Sequence, residues 1–527
     1  MDRRSIGFIV IVAVVAHASA LAGGFIWLDH AHLEQGLALA PAGEWFSLFT
    51  QGFAGTGFYR PLMATSLSLD AALGGAPWLY HATNLGFHAA ASVLTLLAAQ
   101  TFGLTRRAAV LAALLFGVHP ATSLVANAVA FRSEAMITVA LLALVVLHRR
   151  GHVLGAALAV FLGALSKETA LVLGPLFVFA LEFFPGAGET VAKPRNFRLF
   201  AAEGGAWLVA FGLRLLYAPA WRASFAPLSL SDALGTRLAS LAKSNARLVL
   251  PFDQTVCDAF PVTSLSRPQA LLGALLLTAL AYYAYRRRGP ALMLLLALLP
   301  TLQLVPVMRW WSPHYLYLAL ALTAMLVAET AERWGPWALR SAAVASLLLA
   351  GISLFDGLSY RDDQHFWARE VSRAPACREA HFYLGEEARM AKRWPEAVRE
   401  YERALAVKDR VLSYVDRFAA FQNLGAAQLG QGNLGQARVA FRAALELANG
   451  ELDKRHLVHN LATTELVAGN AEEAARLLEH EVERPDAMPA AILLRARAEA
   501  KLGRTAEASA LVERLRHDPR NATEQRP

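Results

Sequence analysis

Asp29 and His30 close the run Trp27-Leu28-Asp29-His30 just beyond the first long apolar stretch of the chain, so a carboxylate and an imidazole sit within one turn of a membrane face. An acid at that depth is costly to dehydrate unless it has a partner or work to do. Further polar groups recur at the ends of later apolar stretches on the same side. They are Arg60 in Phe58-Tyr59-Arg60-Pro61-Leu62, His81 and Asn84 with His88 one turn deeper, Arg132 with Glu134, Lys167 with Glu168, and Arg309 ahead of His314, Tyr315 and Tyr317. One carboxylate among several Arg and Lys suits an anionic lipid phosphate held beside a general base: the cations grip the phosphate and the acid takes a proton from the acceptor. On this reading Asp29 is the base with His30 next to it, and Arg60, Arg132, Lys167 and Arg309 bind phosphate. His81, Asn84, Glu134, Glu168, His314 and Tyr315 then support them. Each group also has a plainer use, since Lys167 with Glu168 or Arg132 with Glu134 could tie helices as internal ion pairs, and His88 could be a helix contact. A loop carboxylate serves chemistry rather than packing, so replacing Asp29 is expected to spare stability.

Nothing in the chain competes with this chemistry. There is no glycine-rich phosphate loop, serine-nucleophile elbow or metal-spaced histidine cluster. No cofactor or metal is expected, although an acid and two histidines in one loop leave room for a divalent ion. Cys257 and Cys377 are the only cysteines, too few and too far apart in sequence for a disulfide framework or a zinc site, and whether they pair is open.

The elements that must carry these residues are transmembrane helices. With 56% hydrophobic and 17% charged residues among 527, and the charges crowded into the last third, the chain divides into an apolar body and a water-soluble tail. Stretches near 6–26, 82–102, 107–125, 133–148, 152–166, 168–184, 199–217, 269–285, 290–308, 314–331 and 338–355 are apolar enough to span as helices. Clusters at Arg3 and Arg4, Arg106 and Arg107, Arg149 and Arg150, Lys193 with Arg195 and Arg198, Arg286 to Arg288, and Arg333 with Arg340 fall at every second loop. The positive-inside rule makes that side cytoplasmic, and an odd number of spans puts the tail outside. The net charge of +8 therefore belongs to loops, and no nucleic-acid partner is expected. The beginning of the chain also resembles a cleavable signal peptide, but the apolar run continues through Trp27 and favours an uncleaved anchor.

From residue 378 the pattern changes to paired amphipathic helices. Leu384, Gly385 and Ala388 precede Ala397, Tyr401 and Ala404; Leu424 and Gly425 precede Ala437, Phe441 and Ala444; Leu461 and Ala462 precede Ala474 and Leu478; Ala508 marks a fourth, degenerate copy. Small residues at these offsets let two antiparallel helices touch, the arrangement of a tetratricopeptide-repeat array. Three parts are expected: a membrane domain over 1–355, a linker over 356–377 and a repeat domain over 378–527.

Taken in order, the acidic motif after the first span, FYRPL, LYHATNLGFH, FRSEAM, LSKETAL, PHYLYLAL and the repeats resemble the transmembrane and tetratricopeptide-repeat O-mannosyltransferases and their bacterial relatives. That resemblance implies an all-α, polytopic GT-C-like fold with about eleven transmembrane helices and a C-terminal tetratricopeptide-repeat α-solenoid. It implies inverting transfer of a sugar, such as mannose, from a polyprenyl-phosphate donor to a protein Ser or Thr hydroxyl outside the cytoplasm, in a bacterial inner membrane with a cytoplasmic N-terminus. It also makes Asp29 the assisting acid. Relatives often carry two adjacent acids here, and His at position 30 leaves the second role vacant or moved to His30 or Glu34. The rival readings are a non-enzymatic scaffold whose repeats recruit envelope-assembly or secretion partners, and a transporter, which should show repeated halves that are not evident. The enzyme reading requires Asp29 and the four cations to converge in one cavity, with the repeat groove free to hold a protein acceptor.

Overall fold

The computed structural model describes residues 3–184, 196–218, 228–252, 254–257, 259–304 and 309–517. Lys193 and Arg195 of the fourth charge cluster, and the end of the expected ninth span, lie outside them. The chain forms two compact units, Met1–Pro375 with Arg410–Ser413, and Ala376–Asp409 with Tyr414–Pro527.

The first unit is a bundle of helices. In chain order they are α1 (Arg3–Ala16), α2 (Pro61–Ala72), α3 (Pro77–Thr101), α4 (Arg106–Val118), α5 (Ser123–Asn127), α6 (Arg132–Arg149), α7 (Val153–Ser166), α8 (Thr169–Phe183), α9 (Phe197–Tyr217), α10 (Leu230–Val249), α11 (Pro268–Arg287), α12 (Pro290–Ala297), α13 (Tyr317–Trp334), α14 (Pro336–Gly357) and α15 (Asp363–Arg373). Among the described residues, six segments are long and apolar enough to cross a bilayer: α3, Val129–Arg149, α9, α11, Pro313–Trp334 and Pro336–Arg361. The pair α4 and Pro120–Asn127, bent by 53°, makes a seventh. Apart from one short antiparallel pairing of Phe260–Pro261 with Val411–Leu412, the regular structure among the described residues is helical, and the chain is a multi-pass membrane protein.

By that measure the eleven expected spans shrink to seven. Three others fall on the shorter apolar segments Val153–Ser166, Thr169–Phe183 and Pro290–Leu302. The first falls on α1, whose 14 residues rise only about 21 Å before a tight turn continues the chain. Hydropathy averaged over a window runs across such breaks, as at Lys167 between α7 and α8, because it registers apolar content and not helical continuity.

Burial orders the bundle. The apolar window of Val129–Arg149 is 89% buried and marks the centre, whereas the corresponding windows on α9, α11 and Pro336–Arg361 are 17% buried and turn Leu215, Leu275 and Leu348 outward. That distribution suits a body whose rim meets lipid tails. Three helices, α2, α10 and α15, have no counterpart among the expected spans. α10 is amphipathic, capped by Ser229, and its Asp232 binds Arg410 at 2.9 Å. α15 occupies the expected linker: Asp362 caps it, and Phe366 and Trp367 are buried. Residues 356–377 are thus not a bare linker, since an amphipathic stripe of two aromatics gains more by packing than by staying extended.

The second unit consists of four consecutive helical hairpins: α16 (Arg378–Met390) with α17 (Trp394–Leu405), α18 (Arg417–Gln431) with α19 (Leu434–Leu447), α20 (Glu451–Val467) with α21 (Ala471–Glu483), and α22 (Pro489–Lys501) with α23 (Thr505–Arg516). A Cβ on Gly385 would lie 2.9 Å from the Tyr401 ring, and one on Gly425 would lie 2.6 Å from the Phe441 ring. Those two glycines are what allow the paired helices to close. Neither Cys257 nor Cys377 is a free thiol.

Candidate active site

The loop after α1 enters the bundle through a strained residue. Trp27 takes a left-handed φ of 56° while its indole is fully buried. Its ring centroid lies 5.0 Å from Phe131 and 5.2 Å from Trp367, with the Arg309 guanidinium 4.9 Å from it. Its backbone N–H donates to Asp363 Oδ1 at 2.8 Å. Packing from three elements therefore holds a conformation that a free chain would leave.

Asp29 follows, and its side chain is wholly buried. Oδ1 accepts from the Ala130 amide at 2.6 Å, while Oδ2 accepts from Val129 and Ile26, both at 3.3 Å. The carboxylate ties the first loop to the turn that begins α6. Burial pushes its carboxyl up to about 7, against the three amides that favour the charged form. An acid enclosed in this way anchors backbone, a packing role for Asp29 that its place in the sequence does not show.

His30 points the other way, toward solvent. Its Nε2 lies 2.9 Å from Asp363 Oδ2 and its Nδ1 2.6 Å from Glu34 Oε2. The hydrogen bond to Asp363, with a second to Glu34, raises its pKa to about 9 despite partial burial. It is a cation at neutral pH. Burial, with Arg60 and Arg309 nearby, lowers His32 to about 4 and keeps it neutral. Glu34 is 54% exposed, the most open acid of the group.

The four expected phosphate binders separate into two sets. Arg132 is fully buried: it pairs with Asp70 at 2.6 Å, and donates to Asn84 Oδ1 at 2.6 Å, Ser66 Oγ at 2.8 Å and the Tyr80 carbonyl at 2.9 Å. Most of its donors are engaged in a structural network that ties α6 to α2 and α3. Its expected partner Glu134 binds Lys167 instead, and Arg60 binds Glu168 at 3.0 Å. Glu168 also accepts the Tyr59 amide at 2.5 Å. Lys167 and Glu168, adjacent in sequence, thus pair with others and not with each other.

Arg60, Lys167 and Arg309 do converge, since all three act electrostatically on His314. The imidazole of His314 lies 3.7 Å from Glu134 and packs against Phe131 with ring centroids 4.7 Å apart and planes tilted by 40°. The Tyr315 hydroxyl donates to the Arg309 carbonyl at 3.1 Å. Among the residues named here, three cations face the two carboxylates Glu134 and Glu168. Cations gathered in this way, in a setting poor in water, can hold a phosphate. The other supporting residues are structural. His81 Nε2 is 3.1 Å from the Gly24 carbonyl, Asn84 holds Arg132, and His88 binds the Tyr317 hydroxyl at 2.6 Å.

Asp363 escaped the sequence reading because residues 356–377 look like a linker. The readable signal was Asp362-Asp363 ahead of Phe366, Trp367 and Glu370 at helical spacing, an N-cap followed by an apolar stripe. No group of three or more His, Cys, Asp or Glu side chains among the described residues could hold a metal ion.

Two outcomes are expected. Arg132→Ala leaves Asp70 buried without its cation and costs ~3–5 kcal/mol, so thermal unfolding in detergent should drop sharply instead of donor affinity alone. His30 is raised above its ordinary 6.5, so its stabilising effect is complete below pH 6.5 and disappears as pH climbs through about 9. The melting temperature of the wild type should accordingly fall more between pH 6.5 and 9.5 than that of His30→Gln; parallel pH profiles would refute the pairing.

Comparison with known proteins sets this geometry in context. No protein-family model matches the chain. It is 32% identical over 152 residues to mouse protein O-mannosyl-transferase TMTC3, covering 27% of this chain and 16% of that protein. It is 28% identical over 291 residues to Drosophila melanogaster protein O-mannosyl-transferase Tmtc2, covering 48% of this chain and 31% of that protein. The chain thus spans less than a third of the length of these curated relatives. A crystal structure of ArnT from Cupriavidus metallidurans bound to undecaprenyl phosphate aligns with 84% of this chain and 80% of its own at 16% identity and a TM-score of 0.40. The apo oligosaccharyltransferase of Archaeoglobus fulgidus aligns with 77% and 60% at 13% identity and a TM-score of 0.36. Neither score is high enough to establish a common fold. Over the segments that align in sequence, the chain is similar to proteins named O-mannosyl-transferases.

Proposed function

We propose that the membrane unit is an inverting glycosyltransferase that moves mannose from a polyprenyl-phosphate carrier to a Ser or Thr hydroxyl of a protein on the extracytoplasmic side of the membrane. The observation that carries the proposal is the convergence of Arg60, Lys167 and Arg309 on His314, beside the more exposed trio His30, Glu34 and Asp363. The similarity to proteins named O-mannosyl-transferases supports the choice of sugar and acceptor. Oxidised cysteines suit a compartment outside the cytoplasm.

In this mechanism the acceptor oxygen attacks the anomeric carbon as the bond from that carbon to the phosphate oxygen breaks. The bonding pair leaves with the phosphate, whose growing charge is met by Arg60, Lys167 and Arg309. The hydroxyl proton passes to Glu34, which protonated His30 orients by their 2.6 Å contact. Glu34 takes the role first given to Asp29, because both Asp29 oxygens are engaged by backbone amides. Asp29 and Asp363 are positioning residues. The hairpin unit would hold the protein acceptor and raise its local concentration.

The test is transfer of mannose from polyprenyl-phosphate mannose to a Ser/Thr peptide by the purified chain. Glu34→Gln is expected to lower kcat by about a hundredfold or more with little change in donor KM. Arg309→Ala should weaken the donor step. Turnover of Glu34→Gln within tenfold of wild type would remove Glu34 as the base, and no transfer by the wild type from any polyprenyl-phosphate sugar would remove the proposal.

A further inference from the structure

α15 has a second face that the site does not use. Its N-terminal Asp363 meets His30, but at its other end Arg369 and Arg373 border a groove of about 610 Å³ against α14. The α14 wall is apolar and open: Leu347, Leu348 and Phe355 are 70%, 67% and 76% exposed, with Ile352 beside them. Arg369 is spoken for by Asp356 and by the Ser359 hydroxyl at 2.5 Å. Arg373 is exposed and forms no hydrogen bond or ion pair among the described residues, though it is close enough to Arg369 for their like charges to act on each other. Asp356 pairs with Arg369, the buried Glu370 carboxylate acts on both guanidiniums, and Arg373 lines the groove without an ion pair among the described residues.

A strip of outward leucine, isoleucine and phenylalanine that ends in a cation is the complement of a lipid: tails against the strip, phosphate at the cation. Lipid fits better than a peptide because the strip belongs to a helix long and apolar enough to span a bilayer. We propose that the α14–α15 groove binds an anionic bilayer phospholipid, its phosphate on Arg373 and an acyl chain along Leu347, Leu348, Ile352 and Phe355. This site is separate from the cation cluster and depends only on the chain crossing a membrane, not on glycosyl transfer. Since α15 also carries Asp363 and packs Phe366 and Trp367 around Trp27, a lipid seated there would brace the helix that holds His30.

The full chain, purified and delipidated in neutral detergent, can be titrated with phosphatidylglycerol, phosphatidylcholine, a polyprenyl phosphate or inorganic phosphate while its thermal unfolding is followed. Phosphatidylglycerol should raise the melting temperature at lower concentration than phosphatidylcholine, and inorganic phosphate should not raise it. Arg373→Gln should shift the phosphatidylglycerol midpoint about fivefold upward, the effect of one cation near an anionic surface, while Arg373→Lys keeps it near wild type. Arg373 is exposed, so both variants are expected to fold. An unchanged midpoint in Arg373→Gln, equal response to phosphatidylcholine, stabilisation by polyprenyl phosphate alone, or an equal effect of inorganic phosphate would each overturn the proposal.

Discussion

The contact on which the site depends is the Asp29 carboxylate against the backbone amides of Val129, Ala130 and Ile26. A buried carboxylate needs hydrogen bonds to be tolerated, and buried amides at a turn need acceptors. Each satisfies the other. The result is a fixed distance between the first loop and the start of α6, two segments a hundred residues apart in sequence. Phe131, Arg132 and Glu134 follow directly from that turn, so the partners of Trp27, Asp70 and Lys167 are all set by it.

Charge is then sorted by burial. Arg132 is enclosed at the level of α2 and α3, where Asp70, Asn84, Ser66 and the Tyr80 carbonyl engage most of its donors and make it a source of order. Arg60 and Lys167, paired with Glu168 and Glu134, act on His314 together with Arg309. A site assembled from paired charges holds its groups in place before any ligand arrives, which keeps reorganisation small when phosphate charge develops. The His30 network lies more openly beside it, held from the other side by α15.

Much of the fold was legible because it follows from composition along the chain. The apolar stretches mark helices, and Gly385 and Gly425 mark hairpin contacts that the rings of Tyr401 and Phe441 require. What stayed hidden is pairing across distance. Arg132 and Arg309 look alike in sequence, yet only one has Asp70, Asn84 and Ser66 around it. Lys167 and Glu168 suggest each other by adjacency, but the interruption of the helix between α7 and α8 sends Lys167 to Glu134 and Glu168 to Arg60. Hydropathy could not separate a continuous span from a broken one, and it passed over α15, whose two aromatics are too few to lift a window average.

The division of labour between an anchoring and a reacting carboxylate is the central claim, and Asp29→Asn tests it most directly. The amide keeps one oxygen acceptor and presents an N–H where the second acceptor stood, so it disturbs the tie without emptying the space. Melting temperature and single-turnover sugar transfer should be measured on the same detergent preparation, at a temperature where both proteins are folded. The account expects a lowered melting temperature, by the equivalent of ~1–3 kcal/mol, with transfer within about tenfold of wild type. An unchanged melting temperature together with a hundredfold or greater loss of transfer would contradict it and return the role of base to Asp29.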